Sequence, residues 1–151
     1  MMLNRLNKRT ARIGFFGVAF DAYWPQFDGL YEQLLIYHQD LHDQILKYDV
    51  EIIEFGIVDS NEKAFETVQA IKEAALDLLF CNMLTYAVSS IFAPILRDSG
   101  LPIVLLALQP SKRMDYSRGS TFEQLLNDNI CSVPEFTGVA VRFGKPISDV
   151  I

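Results

Sequence analysis

Cysteine is scarce in this 151-residue chain, and its basic residues are outnumbered by acidic ones. The two cysteines, Cys81 and Cys131, stand far apart and form no CxxC spacing, which argues against a thiolate metal finger or a disulfide scaffold. Cys81 falls in an apolar run and reads as a small buried hydrophobe, so a reduced, cytoplasmic protein is expected. Thirteen Lys and Arg against nineteen Asp and Glu give a net charge of −6. No basic cluster follows the first dozen residues, so neither nucleic acid nor a membrane is expected as a partner. No apolar run reaches the ~20 residues a membrane span needs, and the basic start MMLNRLNKRTAR lacks the apolar core of a secretory signal. Phosphate-binding loops are missing too. Gly14 and Gly17 have the wrong spacing for GxGxxG and lie inside a strand, no Walker A motif occurs, and the Ser/Thr/Gly run of a flavodoxin phosphate loop is absent. A response-regulator acceptor is disfavoured, because Asp21 lies four residues into a loop and Asn82 takes the place of the third-strand acid. Neither His38 nor His42 falls near a crevice loop, so a Ser-His-Asp triad lacks its base.

What is present is a strongly apolar alternation of strands and helices. Half of the residues (50%) are hydrophobic, enough at this length for one full core. Ile13 to Val18 reads as a strand covered on both faces, running into a loop that carries Asp21, Tyr23, Trp24 and Gln26. Leu30, Leu34, Tyr37, Leu41, Ile45 and Tyr48 recur at steps of three and four, the stripe of a long helix opened by Pro25 and Asp28. Val50 to Val58 is the second strand. In DSNE, Asp59 takes the capping position of a second helix whose buried face is Ala64, Val68, Ile71 and Ala75. Asp77 to Met83 makes a third strand, and Ser89 or Ser90 can cap the third helix, closed by Gly100 and Pro102. Pro102 to Leu108 is the fourth strand, followed by a short helix around Thr121 to Leu126. The last helix starts at Ser132 or Pro134, and ISDVI opens a further strand.

This pattern predicts an α/β fold: a three-layer, Rossmann-like or flavodoxin-like domain with a parallel sheet in the order 2-1-3-4. Residues 1–11 read as a flexible basic lead, 12–145 as the domain, and 146–151 as the start of a missing next domain. In that strand order the path reverses between strands one and three. The loops after strands one, three and four would then share one crevice, near Asp21, Tyr23, Trp24, Thr85, Tyr86, Gln109, Asp115 and Tyr116. Their aromatics could stack on a sugar while the carboxylates and amides bind its hydroxyls. A packing corner or a subunit contact uses the same residue types. His38 and His42 have the i, i+4 spacing of a zinc pair, but with no third ligand in view a solvated or interface-edge pair beside the apolar stripe is the preferred reading.

Taken in order, GVAFDAYWPQFDGL, VDSNEKA, LTYAVSS, LALQPSKRMDY and CSVPEF resemble the N-terminal domain of the L-arabinose and L-fucose isomerase family, from about Arg12 onward. The resemblance implies a substrate-closing and oligomer-forming domain of an aldose-ketose isomerase, inactive alone. It implies Phe20, Asp21, Ala22 and Tyr23 as residues brought to a neighbouring subunit's sugar in a homo-oligomer. It places the divalent metal, commonly Mn2+, and the acid-base residues in other domains, leaving no metal or catalytic residue in this chain. Phe20 stands where a glutamine would be expected, which puts L-arabinose itself in doubt. The alternatives are a free-standing sugar-binding module and a subunit-interaction module without catalysis.

Overall fold

The structure, a computed structural model, describes residues 9–151. Most of the basic lead therefore lies outside the described residues. Five parallel strands, β1 (Ala11–Val18), β2 (Val50–Val58), β3 (Leu78–Met83), β4 (Ile103–Leu106) and β5 (Asp149–Val150), form one sheet in the order β2-β1-β3-β4-β5. The expected order 2-1-3-4 is present and is extended by one strand. Val104 and Leu105 pair with Asp149 and Val150, so residues 149–150 belong to this sheet, and Ile147 packs against its core.

Alternation along the strands separates two faces, because successive side chains point to opposite sides. Phe16, Val18, Leu79, Cys81, Met83, Ile103 and Leu105 meet α2 (Asn61–Glu73), α3 (Ser89–Asp98) and α5 (Val133–Phe143) in the larger core. Within it the rings of Phe92 and Phe136 stack at 4.4 Å, tying α3 to α5. On the other face Phe15, Phe80, Val104 and Leu106 meet Leu41 and Ile45 of α1 (Leu30–Ile45). Leu30 and Leu34 join Leu125 and Leu126 of α4 (Thr121–Leu126). The domain is thus three-layered and α/β, as the Rossmann-like or flavodoxin-like reading requires.

Several helix ends differ from the expectation, each for a visible reason. Ser60, not Asp59, caps α2, accepting from the Lys63 amide at 3.3 Å. Neither serine caps α3 with its side chain; the Ser89 amide instead donates to Oε1 of Glu135 on α5 at 2.7 Å, so a carboxylate from another element sits at the positive helix end. α1 begins only after Gly29, in the left-handed region at φ 81°, and ends before Tyr48, which is 75% exposed. Pro25 and Asp28 therefore precede the helix rather than open it.

One irregularity positions the site. Between Phe15 and Gly17 the register of β1 against β2 slips from Glu54 to Ile57, a bulge with Gly56 at φ 74°. Bulges of this kind bend a strand and re-aim the adjacent side chain. Glu54 lies beside this one, and its Oε1 accepts from the Gly56 amide at 2.6 Å.

Candidate functional site

The chain order reverses between β1 and β3, and a chain of three polar side chains crosses the sheet there. His38 of α1 is 3% exposed and lies flat on the Phe15 ring, at 4.4 Å and 3°. It sits above Gly17, where an added Cβ would come within 3.1 Å of Nδ1 and 2.5 Å of a Leu84 methyl. Glycine is needed there for close approach. Nε2 lies 3.0 Å from Oε1 of Glu54, and Nδ1 lies 3.1 Å from Nδ2 of Asn82 on β3.

Electrostatics assigns the hydrogens. Burial pushes the Glu54 carboxyl up, but the hydrogen bond from His38, the charge of that ring when it is protonated, and the Gly56 amide outweigh it, holding the group below its ordinary range. An ionised carboxylate only accepts, so in the neutral imidazole Nε2 carries the hydrogen and Nδ1 keeps its lone pair. Asn82 must then turn its NH2 toward His38, and no described residue donates to its carboxamide oxygen.

Asn82 and Asn129, 4% and 3% exposed, line a cavity of about 310 Å3 between α1 and the loop after β4. Asn129 donates Nδ2 to the carbonyls of Met83 at 2.6 Å and Leu84 at 3.2 Å. Its buried Oδ1 has no donor among the described residues, although such an oxygen ordinarily finds one. Gln44 and Gln109 bring the lining to four carboxamides, and Asp40 is its one charged group. The cavity shares Leu41, Gln44 and Leu108 with an apolar groove of about 530 Å3 along Ile45, Phe80 and Leu106.

Of the residues expected at the crevice, Gln109 lines this cavity. The others lie elsewhere. Asp21 to Tyr23 make a single 3-10 turn, with Asp21 and Ala22 exposed. Phe20 meets Tyr23 edge to face at 5.5 Å. Trp24 donates its indole N–H to Oδ2 of the buried Asp59 at 3.0 Å and packs edge-on against Tyr31 at 5.1 Å. Lys63 Nζ pairs with the same Asp59 carboxylate at 2.9 Å. Thr85 is buried, with its hydroxyl unpaired among the described residues. Tyr86 donates to Oε2 of Glu135 at 3.3 Å, and the Glu135 charge, then burial, raises its phenol. Burial, then Tyr86 and Asp128, likewise raises Tyr23, so the two phenols share one corner. Asp115 is exposed, accepting from the Ser117 amide and hydroxyl at 3.0 and 2.6 Å, and Tyr116 is 87% exposed.

The reading of His38 and His42 as a solvated or interface-edge pair is corrected for His38. His38 follows Leu34 by four, which carries it onto the buried face, whereas His42 reaches Asp43 at 3.1 Å on the rim. Among the described residues no group of three or more His, Cys, Asp or Glu is placed to hold a metal ion. No described helix is long and apolar enough to cross a membrane.

No family model matches the chain, and no curated protein matches it. Among solved structures it is similar to TesA, at 13% identity and TM-score 0.41, over 89% of this chain and 75% of that one. It is also similar to the psychrotrophic esterase EstA from Pseudoalteromonas sp., at 12% identity and TM-score 0.42, over 91% of this chain and 76% of the other. Likenesses this distant lend the chain no activity. The resemblance to the L-arabinose and L-fucose isomerases is nevertheless corrected, and with it the role of an isomerase's substrate-closing, oligomer-forming domain. The structures named are TesA and an esterase, not sugar isomerases. Physically, the five short stretches lie at strand ends and helix starts, where any parallel α/β fold places aromatics and small polar residues. Here GVAFDAYW and VDSNEKA serve packing: Trp24 is held by Asp59.

Proposed function

We propose that the chain binds a small neutral molecule with an amide-like edge, a hydrogen-bond donor beside an acceptor, in the cavity around Asn82. The observation that carries this reading is the Glu54–His38–Asn82 chain, in which a buried imidazole backed by a half-exposed carboxylate fixes one carboxamide at the wall of a cavity. Fixed polar groups in a partly apolar cavity are what orient a ligand. Asn82 Oδ1 then accepts from the donor of such an edge, and the carboxamides of Gln44 and Gln109 in the same lining can donate to its acceptor. Anions are disfavoured, since the lining has no Lys or Arg and does include Asp40. Covalent chemistry finds no support either. The lining contains no Ser, Thr or Cys, and both nitrogens of His38 are already engaged.

The test is a titration with 2-pyridone, which has such an edge, followed through the side-chain NH2 signals of Asn82 and Asn129. N-methyl-2-pyridone, which lacks the donor, and acetate serve as controls. We expect saturable shifts of both signals with 2-pyridone, at millimolar affinity or about −4 kcal/mol, and weaker or no response to the controls. Shifts confined to other residues, or an equal response to acetate, would overturn the reading.

A further inference from the structure

The hydrogen-bonding character of the cavity is set from behind it. A carboxamide has a donor end and an acceptor end, and whichever one His38 engages leaves the other for a ligand. With Glu54 ionised and His38 neutral, Nδ1 takes the Asn82 NH2 at 3.1 Å, and the cavity meets an acceptor oxygen. A proton from solvent added to His38 goes onto Nδ1, the only ring nitrogen without a hydrogen. Nδ1–H then opposes an NH2 group, donor against donor. Turning the imidazole cannot relieve the conflict, because both nitrogens of an imidazolium donate, and Glu54 holds Nε2–H at 3.0 Å. A half-turn of the Asn82 carboxamide can, since it exchanges two atoms of nearly equal size.

We propose that Glu54 and His38 form a specificity-determining pair: protonation of His38 rotates the Asn82 carboxamide and changes the cavity wall from acceptor to donor. The consequence for a ligand rests on the binding reading above; the rotation itself does not. The fold keeps the alternatives closed. Phe15 fixes the imidazole plane by stacking at 4.4 Å, and Gly17 leaves room for the ring but not for a side chain. The charged groups facing this pair are few. β2 contributes Glu54, and α1 itself contributes His42, whose charge reaches Glu54 and whose ring lies 6.1 Å from Phe15. β1 brings only Phe15 and Gly17, β3 brings the neutral Asn82, and Asp40 lines the cavity on which Asn82 opens.

Nitrogen-detected NMR of the two imidazoles, with His42→Gln for assignment, tests the rotation from about pH 8 to about pH 5, where histidines ordinarily titrate. The neutral state should show hydrogen on Nε2 of His38. The Asn82 NH2 signals should then move with the same midpoint as His38, and in Glu54→Gln, whose amide can accept or donate, the single tautomer should be lost. Over the same range N-methyl-2-pyridone, an acceptor only, should gain about fivefold in affinity relative to 2-pyridone, the worth of one net hydrogen bond. A neutral His38 with hydrogen on Nδ1 would overturn the proposal. So would a His38 that stays neutral throughout, or Asn82 signals indifferent to its titration. The NMR signals need no ligand, so a cavity that binds neither pyridone would sink the binding reading while leaving the rotation standing or failing by itself.

Discussion

Replacing His38 with alanine is expected to cost about 3 to 5 kcal/mol of folding stability, the range for deleting a large, fully packed core side chain. Two losses combine. The imidazole is 3% exposed and stacked on Phe15, so its removal leaves a cavity that a strand on one side and a helix on the other cannot close. The Asn82 NH2 also loses its acceptor inside the protein, a penalty of about 1 to 3 kcal/mol for a buried group left unpaired. Glu54 contributes less, because its side chain is 38% exposed and water can replace the imidazole. Against a total of about 5 to 15 kcal/mol for a typical domain, the change would be large. Urea unfolding of the two proteins checks it, with the midpoint falling and the slope unchanged. A loss below about 1 kcal/mol would mean that the imidazole is not packed as described.

Phe92→Ala is expected to be as damaging, for a different reason and without touching the site. Phe92 and Phe136 are fully buried, stacked 4.4 Å apart and 8° from parallel between α3 and α5. Truncating one ring removes a large apolar surface and the face of its neighbour, about 3 to 5 kcal/mol. This pair lies in the core on the sheet face opposite His38. Stability and binding should therefore separate: Phe92→Ala lowers the unfolding midpoint while the folded fraction keeps its affinity for 2-pyridone. Loss of affinity in protein shown to be folded would tie the cavity to the far face of the sheet.

Much of the scaffold was legible because it follows from periodicity. The apolar run ending at Val18, the β-branched stretch Val50–Val58 and the stripe beginning at Leu30 and Leu34 each state a period of two or near 3.6. They appear as β1, β2 and α1. The strand order followed from right-handed crossovers. Helix starts were less legible, because a serine before a helix announces a cap only if no better partner approaches in space. At Ser89 one does, since Glu135 lies 46 positions away in sequence.

The site was the least legible part. Trp24, the only indole, marked a corner held by Asp59 rather than the cavity. Its partner depends on where β2 ends against β1, which no local window contains. The signals that did exist were residues out of place: Glu54 and Gly56 within a largely apolar strand, Asn82 within LLFCNM, and His38 four residues after Leu34. Each alone reads as an exposed position. Only the bulge at Gly56 and the stack on Phe15 show that they form one chain.

The most direct measurement is the affinity of 2-pyridone for the native protein and for Asn82→Leu, read from the side-chain NH2 signals of Asn129 in both. Leucine keeps the branching of asparagine but is bulkier and forms no hydrogen bond, so circular dichroism and the unfolding midpoint must first show that the variant is folded. If Asn82 is the recognition centre, the variant should bind at least about tenfold more weakly, equivalent to about 1.4 kcal/mol, as expected for losing a paired carboxamide. Equal affinity in the folded variant would contradict the account, because the carboxamide fixed by Glu54 and His38 would then make no contribution to binding.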